Sequence, residues 1–212
     1  MNEYHKITTV WKRDPETNFK TLLSGQFAEP EFQYLQNNAW AWTEKIDGTN
    51  IRVMWDGEKV SFAGKTEASQ MYVPLQKKLE ELFYAGALSK IFDGPACIYG
   101  EGFGARIQKG GGNYISDEVS FCAFDVMVGT IWLERKNVED IAGKLEIQVA
   151  PIVKIGTLNE AIELARSGFN SSWGSFPAEG LVMRPTVEMK TRTGNRIITK
   201  IKTKDFKEHA KN

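Results

Sequence analysis

The chain has 212 residues, 42% of them hydrophobic, and its 27 basic and 27 acidic side chains cancel. That is enough apolar sequence for a real core and too balanced a charge for a chain-wide cationic field, so a polyanionic partner must be met by local clusters. No apolar run approaches the roughly 20 residues of a membrane span, the N-terminal MNEYHKITTV lacks a signal-peptide layout, and His5 and His209 are the sole histidines. The expectation is a cytoplasmic protein with no membrane partner, whose chemistry runs through lysines and carboxylates rather than a central histidine.

In chain order, Ile7, Thr9 and Trp11 alternate and predict a strand that turns at Asp14-Pro15. Trp40 and Trp42 alternate in a second strand, Ile51, Val53 and Trp55 in a third, and the loop EKIDGTN lies between them. Asp56-Gly57 is a hairpin signal leading into Val60 and Phe62. Leu75, Leu79, Leu82 and Phe83 share one face of a predicted helix between Tyr72 and Phe92, broken near Gly86. Capping signals mark two more helices. One pairs Asn137 with Asp140 ahead of Ile141 and Leu145; the other pairs Thr157 with Glu160 ahead of Ala161 and Leu164 and closes at Gly168. Strands over 96–101, 119–128, 147–155, 179–184 and 196–202 outnumber these helices, which predicts an α+β fold with mainly antiparallel sheets and flanking helices, in one domain over 1–212. Cys97 and Cys122 each sit in an apolar stretch and read as small core residues.

The chemistry-bearing residues begin at Lys45-Ile46-Asp47-Gly48-Thr49-Asn50: a lysine at the edge of a strand, a carboxylate two residues on, and a glycine that permits close backbone approach. A lysine is a nucleophile only as the neutral amine, and nearby cations favour that state. Taken alone, the pattern KxDG is a charged loop with a turn glycine, which many proteins carry. Lys200 and Lys202 lie two apart in an alternating strand and share a face opposite Ile197, Thr199 and Ile201, which reads either as an amphipathic edge strand with solvated lysines or as a paired cation site for a phosphate. Glu179 and Glu101 each stand beside a glycine at a strand end, where a ribose hydroxyl or a hydrated cation could approach. Phe124 precedes Asp125 on an alternating strand, and its residue type favours the core over a base-stacking platform. Basic residues concentrate at 196–211 and, with Arg106 and Lys109, beside a glycine run.

In order, KIDGTN (45–50), YGEGFG (99–104), FCAFDV (121–126), AEGLVMRP (178–185) and ITKIKTKDF (198–206) resemble the nucleotidyltransferase motifs of the covalent lysine-nucleotide superfamily, which includes polynucleotide ligases and mRNA-capping enzymes. The resemblance is strongest to the RNA ligase branch with phage nick-sealing and RNA-editing members. GFGARIQKGGGNY (102–114) and KTKDF are similar to that branch, and Asn50 stands where DNA ligases usually carry arginine.

What the resemblance implies is a minimal adenylyltransferase domain that uses ATP and Mg2+ (or Mn2+). Lys45 would attack the α-phosphate and become lysyl-AMP, then pass AMP to the 5′-phosphate of an RNA end or nick for displacement by a 3′-hydroxyl. Glu44 would meet the adenine edge through its backbone, Phe124 would stack on the base, and Glu101 would hold a ribose hydroxyl. Ile46, Gly48 and Asn50 would complete the nucleotide site. Asp47 and Glu179 would act through a hydrated metal ion, and Lys200 and Lys202 would bind the α-phosphate. Lys65, in FAGKTE, stands where the family has a phosphate-binding arginine; it keeps the charge and loses the bidentate fork. Ten residues follow Lys202, so neither the C-terminal OB domain nor the helical domain of larger relatives is expected, and strand affinity would come from the 106–112 loop and basic tail or from an accessory RNA-binding protein. The alternatives are a GTP-dependent capping-type guanylyltransferase, a DNA ligase, and a catalytically silent RNA-binding relative.

Overall fold

The structure, a computed structural model, describes residues 3–66 and 69–210, with the backbone alone over 207–210. The chain divides into two compact units: a middle unit of residues up to His5 and Asp47–Ala150, and a flanking unit of Lys6–Ile46 and Pro151 onward. Among the described residues, no helix is long and apolar enough to cross a membrane.

The flanking unit begins with β1 (Thr8–Thr9), β2 (Trp11–Arg13), β3 (Leu22–Phe27), α1 (Pro30–Tyr34) and β4 (Trp40–Glu44). The middle unit follows with β5 (Thr49–Trp55), β6 (Val60–Ala63), α2 (Val73–Leu82), α3 (Ala85–Leu88), β7 (Ala96–Gly104), β8 (Val119–Val128), β9 (Ile131–Trp132), α4 (Arg135–Lys144) and β10 (Gln148–Val149). The chain then re-enters the flanking unit with β11 (Ile152–Gly156), α5 (Leu158–Ser167), β12 (Gly180–Pro185), β13 (Thr199–Lys202) and a 3-10 helix over Thr203–Ala210.

The flanking sheet has the order β1-β13-β12-β4-β11, with β2 and β3 as a separate hairpin, and the middle sheet runs β10-β8-β7-β5-β6 with β9 on β8. Apart from the parallel pairs β1–β13 and β8–β10, the ladders are antiparallel, so the architecture is the expected α+β one. In the flanking unit α5 sets Leu158, Ala161, Ile162 and Ala165 into a core with Trp40, Trp42, Leu181, Met183 and Ile201. In the middle unit α2 sets Leu75 and Leu79 against Ile51, Ile98 and Phe121, each such leucine contributing roughly 1.5–3 kcal/mol by full burial.

Several predicted boundaries move. The helix over 72–92 breaks at Phe83–Tyr84, ahead of Gly86, and resumes as α3. α4 starts at Arg135, capped by backbone at Glu134 rather than by Asn137, because Arg135 is fixed by bonds to Glu139 and to the Ala150 carbonyl (2.7 and 2.8 Å) and Val138 must turn inward with Ile141. The strand predicted over 147–155 is two strands in different sheets: Ala150 still donates to the Ala123 carbonyl, whereas Pro151 has no N–H to continue a ladder. At α5 the expected capping box is present, Thr157 and Glu160 bonding reciprocally, and Gly168 ends the helix at φ 77°. Cys97 and Cys122 are buried and free, and burial pushes the Cys97 thiol up to about 11, as suits inert core residues.

Candidate active site

β4 lies between β12 and the edge strand β11 of the flanking sheet and delivers Lys45 just past its end, where the Lys45 N–H donates to the Gly180 carbonyl at 2.9 Å. That bond lays Lys45 beside the start of β12, and Glu179 is the residue immediately before it. Gly180 is required there: its φ is 157°, and a Cβ would lie 2.1 Å from the Ile201 carbonyl oxygen. The close β12–β13 approach that results pairs Gly180 with Lys202.

Three charged side chains therefore converge. Lys45 Nζ lies 2.6 Å from Glu179 Oε2, and Lys202 Nζ lies 2.7 Å from Glu179 Oε1, with Glu179 14% exposed. Burial pushes the Glu179 carboxyl up, but the ammonium groups of Lys45 and Lys202 together outweigh it, and the net direction is down. Lys45 Nζ also reaches the Ile46 carbonyl at 3.4 Å, and the Ile46 side chain is buried. Lys200 is half-buried on the Lys202 face of β13, while Thr199 and Ile201 face the core, as the alternation predicts.

Glu44 points elsewhere. Its buried carboxylate accepts from Ser171 Oγ at 2.5 Å and from the Ser172 N–H at 2.8 Å, tying the 171–173 loop to the strand that carries Lys45. Its backbone N–H is taken by the Pro151 carbonyl at 2.9 Å. The serines were invisible to sequence reading because the contact spans 127 positions and Asn170-Ser171-Ser172 carries no motif.

The middle unit holds the other predicted residues. Gly48 packs so closely on β7 that a Cβ would lie 2.3 Å from the Gly102 carbonyl oxygen and 2.7 Å from Glu101 Cγ. Asn50 pairs with Glu101 across the β5–β7 ladder, and its buried Oδ1 has no hydrogen-bond partner among the described residues. An orphaned acceptor beside a backbone that admits no side chain is the arrangement expected where a ligand supplies the missing donor. Asp47 accepts the Gly110 N–H at 3.3 Å, and its own N–H donates to the Tyr114 hydroxyl at 3.2 Å, so the glycine-rich loop is pinned to the KIDG turn. Two non-glycine residues in that loop, Arg106 and Gln108, hold φ of 63° and 56°.

Phe124 departs from the core expectation for its residue type. Tyr99 pairs with Asp125 and Gly100 with Ala123, which makes Phe124 the extra residue of a β-bulge and leaves it half-buried. Tyr4 packs edge-on against it, ring centroids 5.0 Å apart, and bonds the buried Asp125 carboxylate at 2.5 Å. Lys65 is exposed, and the buried Arg52, which sequence reading passed over, donates to the adjacent Gly64 carbonyl at 3.1 Å. Glu67 of FAGKTE lies outside the described residues. In the basic 196–211 segment Arg196 is ion-paired to Glu188 at 2.6 Å and Lys202 to Glu179, while the side chains from 207 on lie outside the described residues.

Among the described residues, no three His, Cys, Asp or Glu side chains gather as a metal cage. Single carboxylates such as Glu179 and Asp47 fit a hydrated divalent ion that also takes substrate phosphate oxygens, the usual manner of magnesium.

A model of the RNA ligase family matches residues 38–202. Solved structures of the Naegleria gruberi RNA ligase are similar. A variant with ATP and Mn matches with a TM-score of 0.72 at 15% identity, over 100% of this chain and 58% of that one. A variant with AMP and Mn gives 0.68 at 14% identity, over 99% and 60%, and the form with PPi gives 0.67 at 16%, over 100% and 61%. At these identities the likeness is one of fold, and the chain spans about three-fifths of the length of those proteins.

Proposed function

This chain belongs to the RNA ligase family, and from that premise we propose that it is an ATP-dependent RNA ligase in which residues 1–212 act as one minimal adenylyltransferase domain. The observation that carries the reading is the Lys45–Glu179–Lys202 cluster: a strand-end lysine whose amine lies against a carboxylate shared with a second cation.

The chemistry follows from those groups. Nucleotidyl transfer needs positioning and charge neutralisation at phosphorus. Lys45 Nζ, once relieved of its extra proton, forms the N–P bond to the α-phosphorus of ATP, and the bond to the bridging oxygen of pyrophosphate breaks. Lys200 and Lys202 neutralise the α-phosphate oxygens as charge shifts onto them. The same pocket then serves transfer of AMP to an RNA 5′-phosphate and its displacement by a 3′-hydroxyl.

Glu179 in the flanking unit and Asp47 in the middle unit are each a carboxylate that would hold a hydrated Mg2+ or Mn2+, which would supply charge neutralisation at the phosphates. The contact with Glu179 occupies the Lys45 amine, so release of that contact precedes attack on the α-phosphorus. For the remaining roles, Phe124 offers a ring face for the base, Glu101 a carboxylate for a ribose hydroxyl, Asn50 an unmet acceptor, Lys65 a cation for a phosphate and Glu44 its backbone. Ile46 and Gly48, which flank Asp47 in the chain, would complete the nucleotide site.

Incubation with α-labelled ATP or, separately, GTP plus magnesium, followed by denaturing electrophoresis, tests the reading. Label from ATP is expected. Label from GTP alone would make the chain a capping-type enzyme, and label from neither would remove the enzymatic reading.

A further inference from the structure

Two residues outside the family-matched segment bear on Lys202. β1 pairs with β13 only at Thr199 and Lys200, so it stops short of the strand's end. Thr203 donates its N–H towards β12, to the Glu179 carbonyl at 2.9 Å, and the Lys202 N–H therefore points the other way, where β1 no longer runs. Asp205 fills that place: its Oδ2 accepts the Lys202 N–H at 3.2 Å.

The Asp205 carboxylate is in turn fixed by Arg13 of β2, whose Nη2 donates to Oδ1 and Oδ2 at 3.0 and 3.1 Å. Its side chain is 4% exposed, and a carboxylate at that depth depends on its cation. Arg13 is anchored by a second set of bonds, from Nη1 to the carbonyls of Phe19 and Lys20 at 3.3 and 3.2 Å. Asn18 and Phe19 hold φ of 55° and 59°, a conformation costly for phenylalanine, and the guanidinium bonds the carbonyls that this turn presents. The 203–206 turn has independent packing as well, with Phe206 edge-on to Trp11 at 6.1 Å and Arg166 over Phe206 at 5.0 Å. Loss of Arg13 thus removes a specific restraint on Lys202 without removing the packing.

We propose that Arg13 is a positioning residue for Lys202, acting through Asp205, so that the N-terminal hairpin sets where the Lys202 ammonium stands during nucleotidyl transfer. The inference rests on the reading of Lys202 as an α-phosphate ligand, and its test separates the two. Native protein is treated with an N-hydroxysuccinimide ester, and modification of Lys202 is read by peptide mass spectrometry in wild type and Arg13→Gln. Several-fold more modification of Lys202 in Arg13→Gln is expected, with Lys154, whose ion pair to Glu160 lies elsewhere in the same unit, unchanged. Equal Lys202 modification in the two proteins overturns the proposal.

The second readout is the rate of adduct formation at saturating ATP. Arg13→Gln is expected to lower it about ten- to a hundredfold, as small displacements of reacting groups do, and to add no further loss in a Lys202→Ala background. Losses that multiply would overturn it. A wild type that forms no adduct would instead overturn the ligase reading, and Lys202 modification alone would then decide the role of Arg13.

Discussion

The two units present their candidate residues in opposite ways. In the flanking unit the reactive groups satisfy one another: both oxygens of Glu179 are occupied, one by Lys45 and one by Lys202. In the middle unit Asn50 Oδ1 is buried without a hydrogen-bond partner among the described residues, and a bulge leaves Phe124 half-buried. The difference follows from charge. Bare lysines and a carboxylate brought together at a strand end neutralise at once, whereas a neutral buried acceptor can wait for a donor at a cost of about 1–3 kcal/mol, below that of an unpaired buried charge. Under the proposed roles, chemistry in the first region requires breaking contacts already made, and in the second the Asn50 acceptor gains a contact that it lacks among the described residues.

The largest expected effect breaks the first region outright: Lys45→Ala should abolish adduct formation, checked by labelling with α-labelled ATP, while the circular dichroism spectrum stays native. Next, Lys202→Ala removes one of the two cations on Glu179 and should lower the rate about 10²–10³-fold, the usual scale for one charge-stabilising group, in single-turnover kinetics. In the middle unit, Gly48→Ala places a methyl against the Gly102 carbonyl and should cost roughly 1–3 kcal/mol of stability, read from urea unfolding. A Gly48→Ala protein as stable as wild type would show that the β5–β7 approach is looser than described.

The smallest effect is in pH. The Glu179 carboxyl is held below its ordinary value of 4.5, so its contribution to stability is full above that value and is lost as pH falls through the lower, folded one. The melting temperature should drop on acidification below 4.5, and Glu179→Gln should flatten that part of the curve; an unchanged curve would mean that the ion pairs contribute nothing to the fold.

Much of this was legible in the sequence because it is local. The Lys200–Lys202 face follows from a period of two, and the Thr157–Glu160 cap from a spacing of three. The motif order put Lys45, Glu179 and Lys202 on the page together, although the convergence itself needs the Lys45–Gly180 bond and the bare Gly180. What stayed hidden is long-range: Ser171 beneath Glu44, Tyr4 on Asp125, and Arg13 behind Asp205 are partners across more than a hundred positions, and no spacing announces them. The bulge at Phe124 was hidden for another reason, since an extra residue in one strand is visible only against its partner's register. Pro151 did carry a signal, the loss of an N–H inside a predicted strand, and it marks where the chain passes from one unit to the other.

The most direct test of the central claim is peptide mapping by mass spectrometry after incubation with ATP and magnesium. An acid-labile AMP mass is expected on the peptide containing Lys45 and on no other, absent from Lys45→Ala. AMP on a different residue, or an adduct that survives Lys45→Ala, would contradict it.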